Sequence, residues 1–258
     1  MSSYKTGLVL SGGAAKGYGH LGALQALYEA GFVFDVVSGS SVGSIIGALL
    51  AEGHEPAGIV EIFDKEKNFS LIKFKFSATG LLKQDGLKAA LERHLKARSI
   101  EELPKPLIVC ATELNTGKAR YFSSGPLIDT LLASSCIPLL FAPVRLHEHW
   151  FVDGGLTDNL PATPLHGQCR QVVGININPI APVEGVNSFM ETVERVLNIA
   201  IHNNVAKSIP MIDLYIEPRK MQEYHLFSLD KGKEMYQLCY QFAQQLLLER
   251  GIQAAIAQ

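Results

Sequence analysis

The sequence predicts an α/β fold: three layers, α/β/α, around a mainly parallel central sheet. Three observations predict it. Short apolar runs at Gly7–Leu10 and Phe32–Val37 alternate with helix-patterned segments, giving strand, helix, strand, helix before Gly53. The runs end in glycine-rich turns, as buried parallel strands do. Two long helical patterns, about Val193–Lys207 and Lys231–Glu249, supply outer layers.

Each element rests on local signals. Helix signals begin near Ala15; Leu21, Leu24 and Tyr28 share a face, and Gly31 supplies the stop. Val42–Glu52 carries Val42, Ile45, Ile46 and Leu49 on one stripe and stops at Gly53. In Phe69–Thr79, aromatics alternate loosely with Lys73 and Lys75. This stretch reads as a membrane-facing flap, the lip of an acyl pocket, or an apolar strand packed on the core. A helix is expected over Leu87–Ala97, and strands over Leu107–Thr112 and Ala119–Ser123. Gly125-Pro126 opens another helix, because proline suits the first helical position. Trp150–Val152, Val172–Ile177 and Ile212–Ile216 read as the remaining strands. No repeat or linker divides residues 1–258, which are expected to form one domain: motifs over about 7–177, with C-terminal helices over about 190–258 packed on them.

Composition narrows the function. Of 258 residues, 23 are basic and 25 acidic, for a net charge of −2, which argues against a nucleic-acid partner. Cys110, Cys136, Cys169 and Cys239 lie far apart in or beside apolar segments and read as buried thiols, with no disulfide frame or zinc site. Met1–Thr6 lacks a signal-peptide layout, and the next apolar run is too short to span a bilayer. A cytoplasmic protein is the expectation; the oligomeric state is left open.

Val36-Val37-Ser38-Gly39-Ser40-Ser41-Val42-Gly43 runs from an apolar strand through Gly-x-Ser-x-Gly into a helix, as a nucleophile elbow requires. Ser41 is the candidate nucleophile, with Gly39 and Gly43 as flanking small residues. Gly12-Gly13-Ala14-Ala15-Lys16-Gly17 joins the first strand to the first helix. Its backbone N–H groups suit a phosphate or an acyl-transfer oxyanion. Asp153-Gly154-Gly155 follows an apolar strand end and reads either as a general base or as a turn.

Competing motifs fit less well. Gly17-Tyr18-Gly19-His20-Leu21-Gly22 matches G-x-G-x-x-G but begins seven residues beyond Leu10, inside the helix pattern, where a dinucleotide fingerprint cannot lie. Tyr18 stands where a Walker loop needs lysine. His147 and His149 flank Glu148 without further ligands, so neither metal nor cofactor is expected. Spacing alone leaves a Ser-His-Asp triad open, although no histidine has the strand-end glycine setting of Asp153.

Taken in order, four blocks resemble the patatin-like phospholipase family, particularly its bacterial members. They are Leu8–Gly17, Gly39–Gly43, Ala133–Pro138 with Phe141–Val144, and Asp153-Gly154-Gly155-Leu156 with Asn159-Leu160-Pro161. The resemblance implies a patatin-like fold and lipid acyl hydrolysis by a Ser-Asp pair: Ser41 as nucleophile, Asp153 as base, and the N–H groups of Gly12, Gly13 and Ala14 as oxyanion donors. Lys16, Gly17, Gly39, Gly43, Gly154 and Gly155 would support the motifs. The implied partners are an ester-bearing lipid and, transiently, a membrane surface. Two positions depart from the family pattern: Ala14 replaces a third glycine, and Asp158 stands where asparagine is common. Ala14 keeps a second reading alive, a weakly active or regulatory lipid-binding module on the same fold.

Overall fold

A computed structural model of the chain describes residues 3–66, 84–226 and 228–252. The expected Phe69–Thr79 element lies outside the described residues. The chain alternates as predicted through β1 (Tyr4–Leu10), α1 (Gly17–Glu29), β2 (Val36–Ser40) and α2 (Val42–Glu52); α3 (Pro56–Glu66) and α4 (Asp85–His94) follow. There follow β3 (Leu107–Glu113), β4 (Lys118–Phe122), α5 (Leu127–Ser134), β5 (Val144–Leu146) and β6 (His149–Asp153). β7 (Cys169–Ile175), α6 (Phe189–Ser208), β8 (Leu214–Ile216) and α7 (Gly232–Glu249) complete the order.

The central sheet runs β3-β2-β1-β7-β8, with every neighbouring pair parallel. β4, β5 and β6 join it antiparallel. The strands show the side-chain period of two. Leu8 and Leu10 pack into the larger core with α1, α2, α5 and α7. Val9 and Val172 face the smaller core, shared with Leu160, Leu165 and Val205 of α6. Helices therefore cover both faces of the sheet, which explains why β2 and the later halves of β1 and β7 are buried.

Register on β3 is what builds the site. Cys110 pairs with Ser40 of β2 on one edge and with Tyr121 of β4 on the other. Ala111 pairs with Arg120 of β4 and with Asp153 of β6. Because each residue has one partner per edge, β2 and β6 share the edge opposite β4. They arrive from opposite directions and stop one residue apart, so the ends of β2 and β6 abut beside Ser41.

Some boundaries differ from the sequence reading. β2 begins at Val36, not Phe32. Phe32 and Phe34 instead stack on each other, and Asp35 accepts the N–H groups of Lys5 and Thr6 at 2.9 Å. Pro126 caps α5 from just outside, extended at ψ 114°, rather than sitting at its first position. α3 and β5 carry too little periodic signal to be foreseen. Three cysteines are buried as expected, while Cys169 is half-exposed.

Asp213 repeats the Asp35 device on the other side of the sheet. Its carboxylate accepts Val172 N–H at 2.7 Å while its own N–H bonds Val172 O. Charge-assisted bonds of this kind are worth about 1.5–3 kcal/mol. Asp213→Ala is expected to lower the unfolding free energy by about 1–3 kcal/mol without changing the denaturant slope, as read by urea unfolding.

Candidate active site

The elbow is strained, and packing holds it. Ser41 sits at φ 52°, ψ −128°, a left-handed backbone that costs a serine about 1–3 kcal/mol. The turn closes because Gly39 and Gly43 lack side chains. A Cβ on Gly39 would lie 2.6 Å from the Gly43 carbonyl carbon, and one on Gly43 would meet the Leu10 and Ser11 carbonyls. Ser41 N–H donates to Ser134 Oγ at 2.9 Å, and Ser134 Oγ–H donates to Cys110 O at 2.6 Å. Ser44 Oγ–H bonds Ser41 O at 2.6 Å. Ser41 is thus fixed on both sides of its backbone.

Ser41 Oγ–H donates to Asp153 Oδ2 at 2.6 Å, and Gly155 N–H donates to Asp153 Oδ1 at 2.8 Å. The acid loop can lie this close because Gly154 presents only backbone to Cys110 O and Ser40 Oγ. Burial raises the Asp153 carboxyl from its ordinary value to about 6, against the two hydrogen bonds, which favour the charged form. Among the described residues no histidine hydrogen-bonds either Ser41 or Asp153. His20 Nε2 meets Ser11 O, and burial lowers its pKa to about 4. His147 and Glu148 form the turn between β5 and β6, and His149 pairs with Glu113 at 2.9 Å.

The glycine loop curls over Ser41, but its three expected donors are not equivalent. Gly12 differs from the other two. Its N–H is already committed to Asn159, 3.1 Å from both Oδ1 and the backbone oxygen. The N–H groups of Gly13 and Ala14 make no hydrogen bond among the described residues. Gly13 has φ 157° and Ala14 φ 49°, so Ala14 holds a left-handed conformation that costs a side-chain-bearing residue about 1–2 kcal/mol. Lys16, 4% exposed, turns inward and donates to Asn178 Oδ1 at 3.1 Å, tying the loop to the end of β7.

Residues given no role from sequence support the loops. Asn204 of α6 accepts Asn159 N–H and donates to Gly155 O, both at 2.8 Å. Asp158 accepts the Tyr121 hydroxyl at 2.6 Å, and burial raises its carboxyl. Ser134 lay inside a recognised block, and Asn204 in the polar run His202-Asn203-Asn204; nothing local revealed their partners.

Two spaces meet at Ser41 and Ala14. One, about 40 Å³, is bordered by Asp153, Gly13 and Asn159 and is large enough for a water-sized group. The other, about 230 Å³, is apolar and runs between α2 and α4.

Fold and geometry define the class: an α/β protein with a serine–carboxylate couple on a strand-to-helix elbow. The chain belongs to the patatin-like phospholipase family, whose model matches residues 8–166. An uncharacterized NTE family protein of Mycobacterium tuberculosis is 34% identical over 168 residues, covering 64% of this chain and 47% of the relative. A lysophospholipase of Kluyveromyces lactis is 25% identical over 284 residues, covering 96% of this chain but 19% of the relative. The chain thus spans about half or less of these curated relatives. The crystal structure of VipD from Legionella pneumophila shares the fold, with a TM-score of 0.55 at 16% identity, covering 96% of this chain and 67% of that one.

Relief of the Ala14 strain outweighs the unfolded-chain entropy that glycine adds, about 0.4–1 kcal/mol. Ala14→Gly is expected to raise the unfolding free energy by up to about 1 kcal/mol, and Ala14→Val to lower it, in the same denaturant titration.

Proposed function

We propose that the chain is a lipid acyl hydrolase that cleaves carboxylic esters with Ser41 and Asp153. The observation that carries this reading is the 2.6 Å bond from Ser41 Oγ to a buried carboxylate held near neutrality. Asp153 takes the Ser41 proton as Oγ bonds to the ester carbonyl carbon. The carbonyl oxygen becomes an oxyanion, which accepts hydrogen bonds from the N–H groups of Gly13 and Ala14; each such donor is worth about 2.7–4 kcal/mol of barrier. Gly12, bound to Asn159, braces the loop. When the intermediate collapses, the alcohol departs with the proton from Asp153. Water then attacks the acyl-serine, gives a proton to Asp153, and Ser41 leaves and recovers it. A substrate of this kind brings the chain into transient contact with a lipid surface. Among the described residues no helix is long and apolar enough to cross a membrane.

A fluorophosphonate probe is expected to label the wild type and not Ser41→Ala; labelling that persists in Ser41→Ala removes Ser41 from the mechanism. The base must be ionised, so kcat/KM for a soluble ester is expected to rise with pH through about 6 and to be about tenfold lower at pH 5 than at pH 8.

Asp153 also carries a stability signature. Its folded pKa lies above the ordinary 3.8, so its contribution to stability is present below that value and lost as pH rises through about 6. Asp153→Asn is therefore expected to lower kcat by about 10²–10⁴-fold while its melting temperature at pH 8 equals or exceeds that of the wild type. Full activity in Asp153→Asn excludes Asp153 as the base.

A further inference from the structure

Among the described residues, the apolar space beside Ser41 is a half-open groove that reaches polar side chains at its far end. Along α2 it is walled by Val42, Ile45 and Leu49. Along α4 it is walled by Leu87, Ala90 and His94. The two helices flank the space and point in the same direction. The start of α4 is held beside the elbow, where Gln84 Nε2 donates to Ser135 O at 3.1 Å. Its end is held beside the end of α2: His54 Nε2 meets His94 O at 3.3 Å, and the N–H groups of Lys96 and Ala97 donate to Glu52 at 2.7 and 2.8 Å. The space is therefore a slot that starts at Ser41 and finishes between Leu49 and His94.

Two independent measures agree on what it holds. Eight residues separate Ser41 from Leu49, about 12 Å of helix at 1.5 Å per residue. An extended chain advances about 3.6 Å over three bonds, so about ten bonds fill that length. By volume, a 150 Å³ apolar cavity holds six-carbon benzene, so about 230 Å³ holds about nine carbons. The far end is polar. His94 Nε2 lies 3.0 Å from Glu66 Oε1, and Glu66 is also held by the Arg93 guanidinium. A longer methylene chain must part this charged cluster or desolvate it without replacing its hydrogen bonds.

We infer that the slot between α2 and α4 selects acyl chains of about eight to ten carbons, with the Glu66–His94 pair as its end stop. The inference rests on the acyl-hydrolase reading above and adds a chain-length class to it.

Two assays separate the inference from that reading. Binding of butyrate, octanoate, decanoate and palmitate to Ser41→Ala protein, by isothermal titration below micellar concentrations, measures the slot without catalysis. Hydrolysis of the matching p-nitrophenyl esters by wild type measures both. Binding and kcat/KM are expected to peak at octanoyl or decanoyl, with palmitoyl at least about tenfold weaker. Ala90→Phe, which fills the slot, moves the optimum to butyryl. His94→Ala, which opens its end, brings palmitoyl within about threefold of decanoyl. A wild-type optimum at palmitoyl overturns the inference, as does a folded Ala90→Phe or His94→Ala protein with an unchanged profile. Decanoate-selective binding without hydrolysis of any ester supports the slot and sinks the hydrolase reading alone.

Discussion

The close approach of three backbone segments around Cys110 is the constraint on which the rest of the site depends. Cys110 O accepts the Ser134 hydroxyl that in turn holds Ser41 N–H, and Gly154 lies directly against the same carbonyl. β2 and β6 end one residue apart on the same edge of β3. A side chain on Gly39, Gly43 or Gly154 would force one of these segments away. The 2.6 Å bond between Ser41 and Asp153 then could not form. The strain stored at Ser41 is sustained because neighbouring contacts over-determine its position.

Burial gives that geometry its chemical character. A carboxylate at a solvated strand end would stay fully ionised and weakly basic at neutral pH. Enclosed among Gly154, Gly155 and the elbow, Asp153 is raised to about 6, near the working range of a general base. The same enclosure destabilises the charged form, so the fold gives up stability at neutral pH by enclosing this carboxyl. The small space beside Asp153 and the long slot beside α2 meet at one serine.

Much of this was legible in the sequence, because strand-to-helix turns leave local marks. Gly39-Ser40-Ser41-Val42-Gly43 and Asp153-Gly154-Gly155 each carry their own signal: small residues exactly spaced by the turn they must make are visible without a partner. The alternation of β1, α1, β2 and α2 was equally plain, since apolar runs and 3.6-residue stripes are local patterns. What stayed hidden depends on distant partners. Gly12 was expected to donate to an oxyanion, but Asn159, 147 residues away, takes its N–H. Asn204 braces the acid loop from a helix whose sequence shows only a polar run. The shared edge of β3 depends on register between segments that no local motif encodes. The start of β2 was misplaced because Phe32 and Phe34, apolar enough for a strand, stack together and leave Asp35 to clip β1.

The central claim is that Ser41 carries the acyl group between two half-reactions governed by Asp153. Intact-mass and peptide mass spectrometry of protein quenched during turnover of a p-nitrophenyl ester tests it most directly. The account predicts one acyl adduct per chain, on the peptide containing Ser41, and its accumulation when Asp153 is replaced by asparagine only if the first step still proceeds. Turnover with the adduct on another residue, or sustained hydrolysis in which wild type and Asp153→Asn alike never acylate Ser41, would contradict it.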